Sequence, residues 1–141
     1  LNEGGFFDVA KLSKKPFMAS HSCARALCDH PRNLSDEQLR MLGEKGGVVG
    51  INFYGAFLNE NGDAASFYRI IEHLKYMKDK AGIDTIALGS DFDGIDDNGE
   101  LVDFRGYIPL MDIMSEHFSD DEIDKISHLN AMRVFRENIG R

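Results

Sequence analysis

The chain has 141 residues, 43% of them hydrophobic, and its 24 acidic against 16 basic side chains leave a formal charge of −8. That length suits one domain with a buried core, and the apolar content excludes a disordered chain. The negative charge disfavours a nucleic-acid or anionic-membrane surface, where clustered positive charge is needed, and no apolar run approaches the roughly 20 residues that span a bilayer.

Leu1-Asn2-Glu3-Gly4-Gly5 is not a secretory leader, and the first residue is not Met, so a processed protein or a fragment is expected. Cys23 and Cys28, five apart, match neither structural-zinc nor redox spacing. Reduced thiols, and with them a cytoplasmic location, are the expectation, because stable disulfides are rare in that compartment.

In chain order, Phe6, Val9, Ala10 and Leu12 fall near helical spacing and predict a helix over 6–12, ended at Ser13-Lys14-Lys15-Pro16. Residues 16–19, Pro-Phe-Met-Ala, read as a short buried strand. After a loop carrying His21 and Arg32, Ser35 with Gln38 forms a capping box. The helix it starts turns Leu39 and Leu42 inward and stops at Lys45-Gly46-Gly47. Val48-Val49-Gly50-Ile51-Asn52-Phe53 is the apolar run of a strand covered on both faces.

Residues 54–62 read as a loop. Phe67, Ile70, Ile71, Leu74 and Met77 then form the stripe of an amphipathic helix that ends at Ala81-Gly82. The third strand is expected over 83–89, followed by a long acidic loop that begins Ser90-Asp91-Phe92-Asp93-Gly94. A helix over 108–118 tolerates Pro109 near its first turn, and Ser119 with Glu122 makes a second capping box before one or two short helices through Phe135. Strands alternating with helices imply an α/β fold with a parallel sheet and right-handed crossovers.

Each expected strand ends in polar or conformationally special residues: His21, then Asn52-Phe53-Tyr54, then Asp91-Phe92-Asp93-Gly94. Parallel strands bring those ends to one side, which is where α/β sites are built. His21 could ligate a metal or be a hydrogen-bonded loop histidine. Arg32 could clamp a carboxylate through its planar fork or be a solvated surface charge. Asp91 could hold a substrate amine, bind a cation or act as a base, or serve only a turn, and Asp93-Gly94 has the composition of a turn. His30 shares the His21 loop and stays open to a supporting role, while His73, His117 and His128 lie on helices or at their ends. Neither a glycine-rich phosphate loop nor a Gly-x-Ser-x-Gly elbow is present.

Taken together, residues 16–22, Arg25-Ala26-Leu27-Cys28, His30-Pro31-Arg32-Asn33-Leu34 and Gly89-Ser90-Asp91-Phe92-Asp93-Gly94 resemble the membrane (renal) dipeptidase family of zinc peptidases. Residues 47–54 match the family's intervening strand, and Asn130-Ala131-Met132-Arg133-Val134-Phe135 its closing helix, so the resemblance covers essentially the whole chain. It implies the C-terminal part of a (β/α)₈ TIM-type barrel, about three βα units in a single partial domain over 1–141. It also implies a two-zinc site at the strand ends, where a metal-bridging water hydrolyses dipeptides. On this resemblance His21 is a zinc ligand, Arg32 binds the substrate's terminal carboxylate, and Asp91 lies near the substrate amine and assists proton transfer.

In that family a His-x-Asp pair, a metal-bridging glutamate and another histidine precede the matched segment, so the chain would supply one zinc ligand of five. Phe57 stands where some relatives carry a substrate-facing tyrosine. The expectation is an isolated chain inactive on dipeptides, pairing with another copy or with a missing N-terminal part. Two alternatives remain: a phosphatase of the haloacid dehalogenase type using Asp91, although Ile95 replaces the threonine of that motif, and a non-catalytic assembly module.

Overall fold

The Asn2 side chain accepts the Gly5 amide (2.8 Å) and so caps helix α1, Glu3–Leu12. The helix therefore begins three residues before the expected 6–12, because a cap and an acidic first turn outweigh two glycines. The structure is a computed structural model that describes residues 2–95, 99–101 and 103–140. Part of the expected acidic loop, residues 96–98 and 102, lies outside the described residues.

Three parallel strands follow, in the order β1-β2-β3. Strand β1 is only Met18–Ala19, shorter than the expected 16–19, since Pro16 has no N–H for a ladder. Strand β2, Val48–Asn52, is buried throughout and pairs with both neighbours. Strand β3 is Ile86–Ser90, not 83–89. Gly82 ends the preceding helix at φ 87°, and the Thr85 hydroxyl donates back to the Ala81 carbonyl (2.9 Å), which winds Ile83–Thr85 into a 3₁₀ turn before the strand can start.

The capping box of Ser35 and Gln38 starts α2, Asp36–Glu44, and Gly46 reverses the chain at φ 65°. Within the expected loop 54–62 lies a short helix, α3, Gly55–Leu58, wound because Phe57 and Leu58 bury their side chains in the core. Helix α4, Phe67–Ala81, sends Ile70, Ile71, Leu74 and Met77 inward as their spacing predicts. Helix α5, Tyr107–Met114, stops short of the expected 118, and a turn there delivers Phe118 to the core. The second capping box starts α6, Asp120–Asp124. A π-helical turn, Lys125–Leu129, then leads into α7, Asn130–Ile139, which extends past Phe135 to a left-handed Gly140.

The period of two along β2 divides the core. Val49, Ile51 and Phe53 join Leu39, Leu42, Ile70 and Leu74 in the main cluster. Val48 meets Ala87 and the α7 residue Val134 in a smaller one. Helix α7 also closes the amino ends of the strands. Asn130 Nδ2 donates to the Ile83 and Ile86 carbonyls (2.7 and 2.9 Å), and Arg133 reaches the Gly46 and Asp84 carbonyls. Asn138 Nδ2 donates to Pro16 O (2.9 Å). Among the described residues no helix is long and apolar enough to cross a membrane.

At the other end, the backbone at Ser20 crosses directly over Gly50 and Gly89, and a Cβ on either glycine would overlap the Ser20 carbonyl oxygen. This contact seats the residue before His21. We expect Gly89→Ala to destabilise the fold by about 1–3 kcal/mol, the usual cost of overpacking. Denaturant titration checks it; unchanged stability would show that the Ser20 backbone is free to move away.

Candidate active site

The segment leaving β1 folds back on itself. The Ser22 amide donates to Gly50 O (2.8 Å), and the Ser22 hydroxyl to Arg32 O (2.7 Å). Ala24 and Leu34 form an isolated bridge, and Asn33 sits inside the loop. Asn33 Oδ1 accepts the Cys23 amide, while its Nδ2 donates to Cys28 O (3.0 Å) and Phe57 O (2.8 Å). This buried asparagine does for the loop what a ladder does for a strand.

These constraints bring His21 and Arg32 together, with Nη2 of Arg32 3.1 Å from Nε2 of His21. A guanidinium only donates, so Nε2 is the unprotonated nitrogen and Nδ1–H donates to the Ser20 hydroxyl (2.8 Å). The guanidinium lies over the Phe57 ring, 5.5 Å from its centroid, and the His30 ring stacks on the same phenyl at 4.4 Å. His30 Nδ1 also accepts the Arg32 amide (3.2 Å), so His30 supports Arg32 from two sides. A cavity of about 230 Å³ opens beside the pair, walled in part by His21, Ser22, Arg32 and Phe17.

The second expected group forms at the ends of β2 and β3. Asn52, wholly buried, accepts the Tyr54 amide on Oδ1 (2.7 Å) and donates through Nδ2 to Asp91 Oδ2 (2.9 Å). The Tyr54 amide fixes the orientation of the Asn52 amide and thereby presents an N–H to the carboxylate. Ser90 and Asp91 carry positive φ, 37° and 79°, and the Gly94 amide donates to Asp91 O (2.9 Å). Asp91 therefore serves both a turn and a side-chain contact, in a backbone region non-glycine residues seldom occupy. Its other oxygen rests against Gly94, where no Cβ would fit. Cys23 links the two groups, its thiol donating to Asn52 O (3.3 Å).

Both cysteines are free and buried, and burial raises both thiols above their ordinary range, which favours the protonated form. The sequence placed His73 on a helix and gave it no role. It is fully buried, with Nδ1 accepting the Ala24 amide and Nε2 donating to Leu58 O (both 3.1 Å). Its position on the inward arc of α4, between Ile70 and Met77, is the signal that marks it as interior.

The membrane dipeptidase model, peptidase family M19, matches residues 1–140. The chain belongs to this family. A Klebsiella pneumoniae relative, described only as an uncharacterized protein in the pqqA 5′ region, is 41% identical over 140 residues, covering 96% of this chain and 52% of its own length. Dipeptidase aclJ of Aspergillus oryzae is 36% identical over 129 residues, covering 89% of the chain and 31% of its own. Among solved structures, a Rhodobacter sphaeroides metallo peptidase liganded with a phosphinate mimic of the dipeptide L-Ala-D-Ala superposes with TM-score 0.91 at 36% identity, over 97% of this chain and 40% of that one. The dipeptidase AC, a family M19 metallo peptidase, gives TM-score 0.93 at 36% identity, over all of this chain and 43% of its own. The chain thus spans about half the length, or less, of these proteins, and its α/β fold with a three-stranded parallel sheet is similar to the matching part of the two solved structures.

Membership of a metallopeptidase family implies a metal cofactor. His21 has the chemistry of one ligand, and its Nε2 lone pair is the one Arg32 engages. Among the described residues no three His, Cys, Asp or Glu side chains gather to hold an ion.

Burial lowers the His73 pKa from 6.5 to about 4. The unfolded chain therefore takes up this proton near pH 6.5 while the folded chain resists until about pH 4. Stability should fall through that window by about 3 kcal/mol on this account, at 1.36 kcal/mol per unit. His73→Gln should lose less between pH 7 and pH 4 in denaturant titrations; an identical pH slope would remove His73 as the cause.

Proposed function

We propose that the intact protein is a zinc-dependent dipeptidase to which these 141 residues contribute substrate-binding groups and one metal ligand. What carries the reading is the pair of contacts at one end of the sheet, Arg32 with His21 and Asn52 with Asp91, in a chain of the membrane dipeptidase family. The family match through residue 140 includes Asp91-Phe92-Asp93-Gly94, which leaves the phosphatase alternative without support.

On this proposal the chain is a partial domain, about three units of a (β/α)₈ barrel, and the other metal donors come from outside it. The 141 residues alone are then inactive on dipeptides. Zinc, when bound, supplies an activated water. The chain's own side chains bind and orient. Arg32, held against Phe57 and bordering the cavity, takes the substrate's terminal carboxylate through a charge-assisted fork. Asp91, aimed by the buried Asn52 amide, faces the substrate's amino group and carries protons there. His21 would offer Nε2 to zinc once Arg32 leaves that nitrogen for the substrate carboxylate, with Nδ1–H anchored on Ser20 as outer-shell partners commonly are. The phosphinate mimic bound by the Rhodobacter sphaeroides protein makes L-Ala-D-Ala a rational first substrate.

Arg32→Ala in the intact protein should lower kcat/KM for a dipeptide roughly ten- to 150-fold, the equivalent of about 1.5–3 kcal/mol for a charged hydrogen bond. A carboxyl-amidated substrate should lose little, and an equal loss on both would sink the clamp. His21→Ala should lose zinc and turnover together, read by metal analysis beside activity; retention of the full zinc complement would contradict its role as a ligand.

A further inference from the structure

We infer that His73 is a positioning residue of the Arg32 clamp: one neutral imidazole in α4 registers the loop between Ala24 and Leu34, which bears Arg32, against the turn bearing Phe57. His21 lies ahead of that loop and is tied to β2 through Ser22 N–H to Gly50 O. The inference rests on the proposal that Arg32 binds a substrate carboxylate.

A histidine on the buried arc of an amphipathic helix is costly unless both ring nitrogens are satisfied. Both are, and both partners are backbone groups of site-forming segments: the Ala24 amide and the Leu58 carbonyl. The donor at Ala24 fixes the tautomer, since Nδ1 must accept and Nε2 must then carry the hydrogen.

Ala24 is the root of the Arg32 loop. It bridges Leu34, and the neighbouring bonds from Arg25 N to Leu34 O (2.8 Å) and from Leu34 N to Cys23 O (2.9 Å) close the two legs on each other. These bonds close the base of the loop, so whatever holds Ala24 bears on where Arg32 lies. Leu58 follows Phe57, the ring beneath the guanidinium. One turn earlier on α4, Arg69 reinforces the same junction, with Nε donating to Leu58 O (2.7 Å) and Nη2 to Leu27 O (2.6 Å). Leu58 O thus has two donors. The Ala24 amide donates to His73 Nδ1, so withdrawing that acceptor falls on the loop root. Small misplacements of a binding group are costly in catalysis, up to about 10²-fold for 1 Å.

Two amide substitutions separate the contacts. In His73→Asn the side-chain oxygen takes the place of Nδ1 and still accepts from Ala24. In His73→Gln the amide nitrogen reaches toward the Nε2 position and the acceptor for Ala24 is withdrawn. The intact zinc-loaded enzyme, its two His73 variants and Arg32→Ala would be compared on L-Ala-D-Ala and its carboxyl amide. His73→Gln should raise KM for the dipeptide about five- to tenfold, with kcat within twofold, zinc content unchanged and the amide unaffected. His73→Asn should return KM to within about twofold of wild type.

The inference is overturned if His73→Gln only lowers thermal stability, if it changes dipeptide and amide alike, or if His73→Asn is as impaired as Gln. Should the Gln variant not fold, the Asn variant carries the test, because a tenfold KM rise with the Ala24 contact retained contradicts the inference. Arg32→Ala isolates the underlying proposal: if that variant does not separate dipeptide from amide, the clamp is wrong and the positioning role falls with it.

Discussion

Three parallel strands must leave their sheet at the same end, and in this protein the rest of the structure depends on that requirement. The amino ends need partners for the carbonyls of the approaching segments, and α7 supplies them through Asn130, Arg133 and Asn138. The carboxyl ends are left to the loops. There the ladder runs out, and the backbone groups that it no longer satisfies turn to side chains: Asn33 inside the β1–α2 loop, Asn52 at the end of β2, His73 from beneath.

The same side chains that settle these backbone groups also aim the polar groups of the site. Asn52 satisfies Tyr54 N–H with one atom of its amide and meets Asp91 with the other. Asn33 ties Phe57 to the loop whose preceding residue, Arg32, rests on that ring. Gly50 and Gly89 leave room for the Ser20 backbone, and so for His21 beside it. Fold and site share one network of hydrogen bonds, buried at Asn33 and more open at Asp91, His21 and Arg32, and a change to its asparagines or glycines acts on both.

Periodicity and capping chemistry made much of this legible in the sequence. The inward stripe of α4 and both capping boxes depend on neighbours three or four residues apart, and they form as expected. Boundaries set by distant contacts were not legible. The α3 turn exists because Phe57 and Leu58 find the core, and β3 starts late because Thr85 bonds back to Ala81. His73 was passed over because a helical residue's burial is visible from spacing, whereas its two partners, 49 and 15 residues away, are not.

By itself the sequence determined the α/β class, the order of the strands and of the longer helices between them, and the residue types at the strand ends, because helical and strand periods and the end-to-end logic of parallel strands are properties of short stretches. The likeness of its motifs to the membrane dipeptidases was likewise readable there, and the family match agrees with it. Only the tertiary structure decided that Arg32 meets His21 over Phe57, that Asn52 orients Asp91, and that a histidine on α4 holds the loop in place. Those contacts join segments 11 to 49 residues apart. Which hydrogen-bond partner a buried polar group finds at such separations is set by how the elements pack, and no local pattern in the chain encodes it.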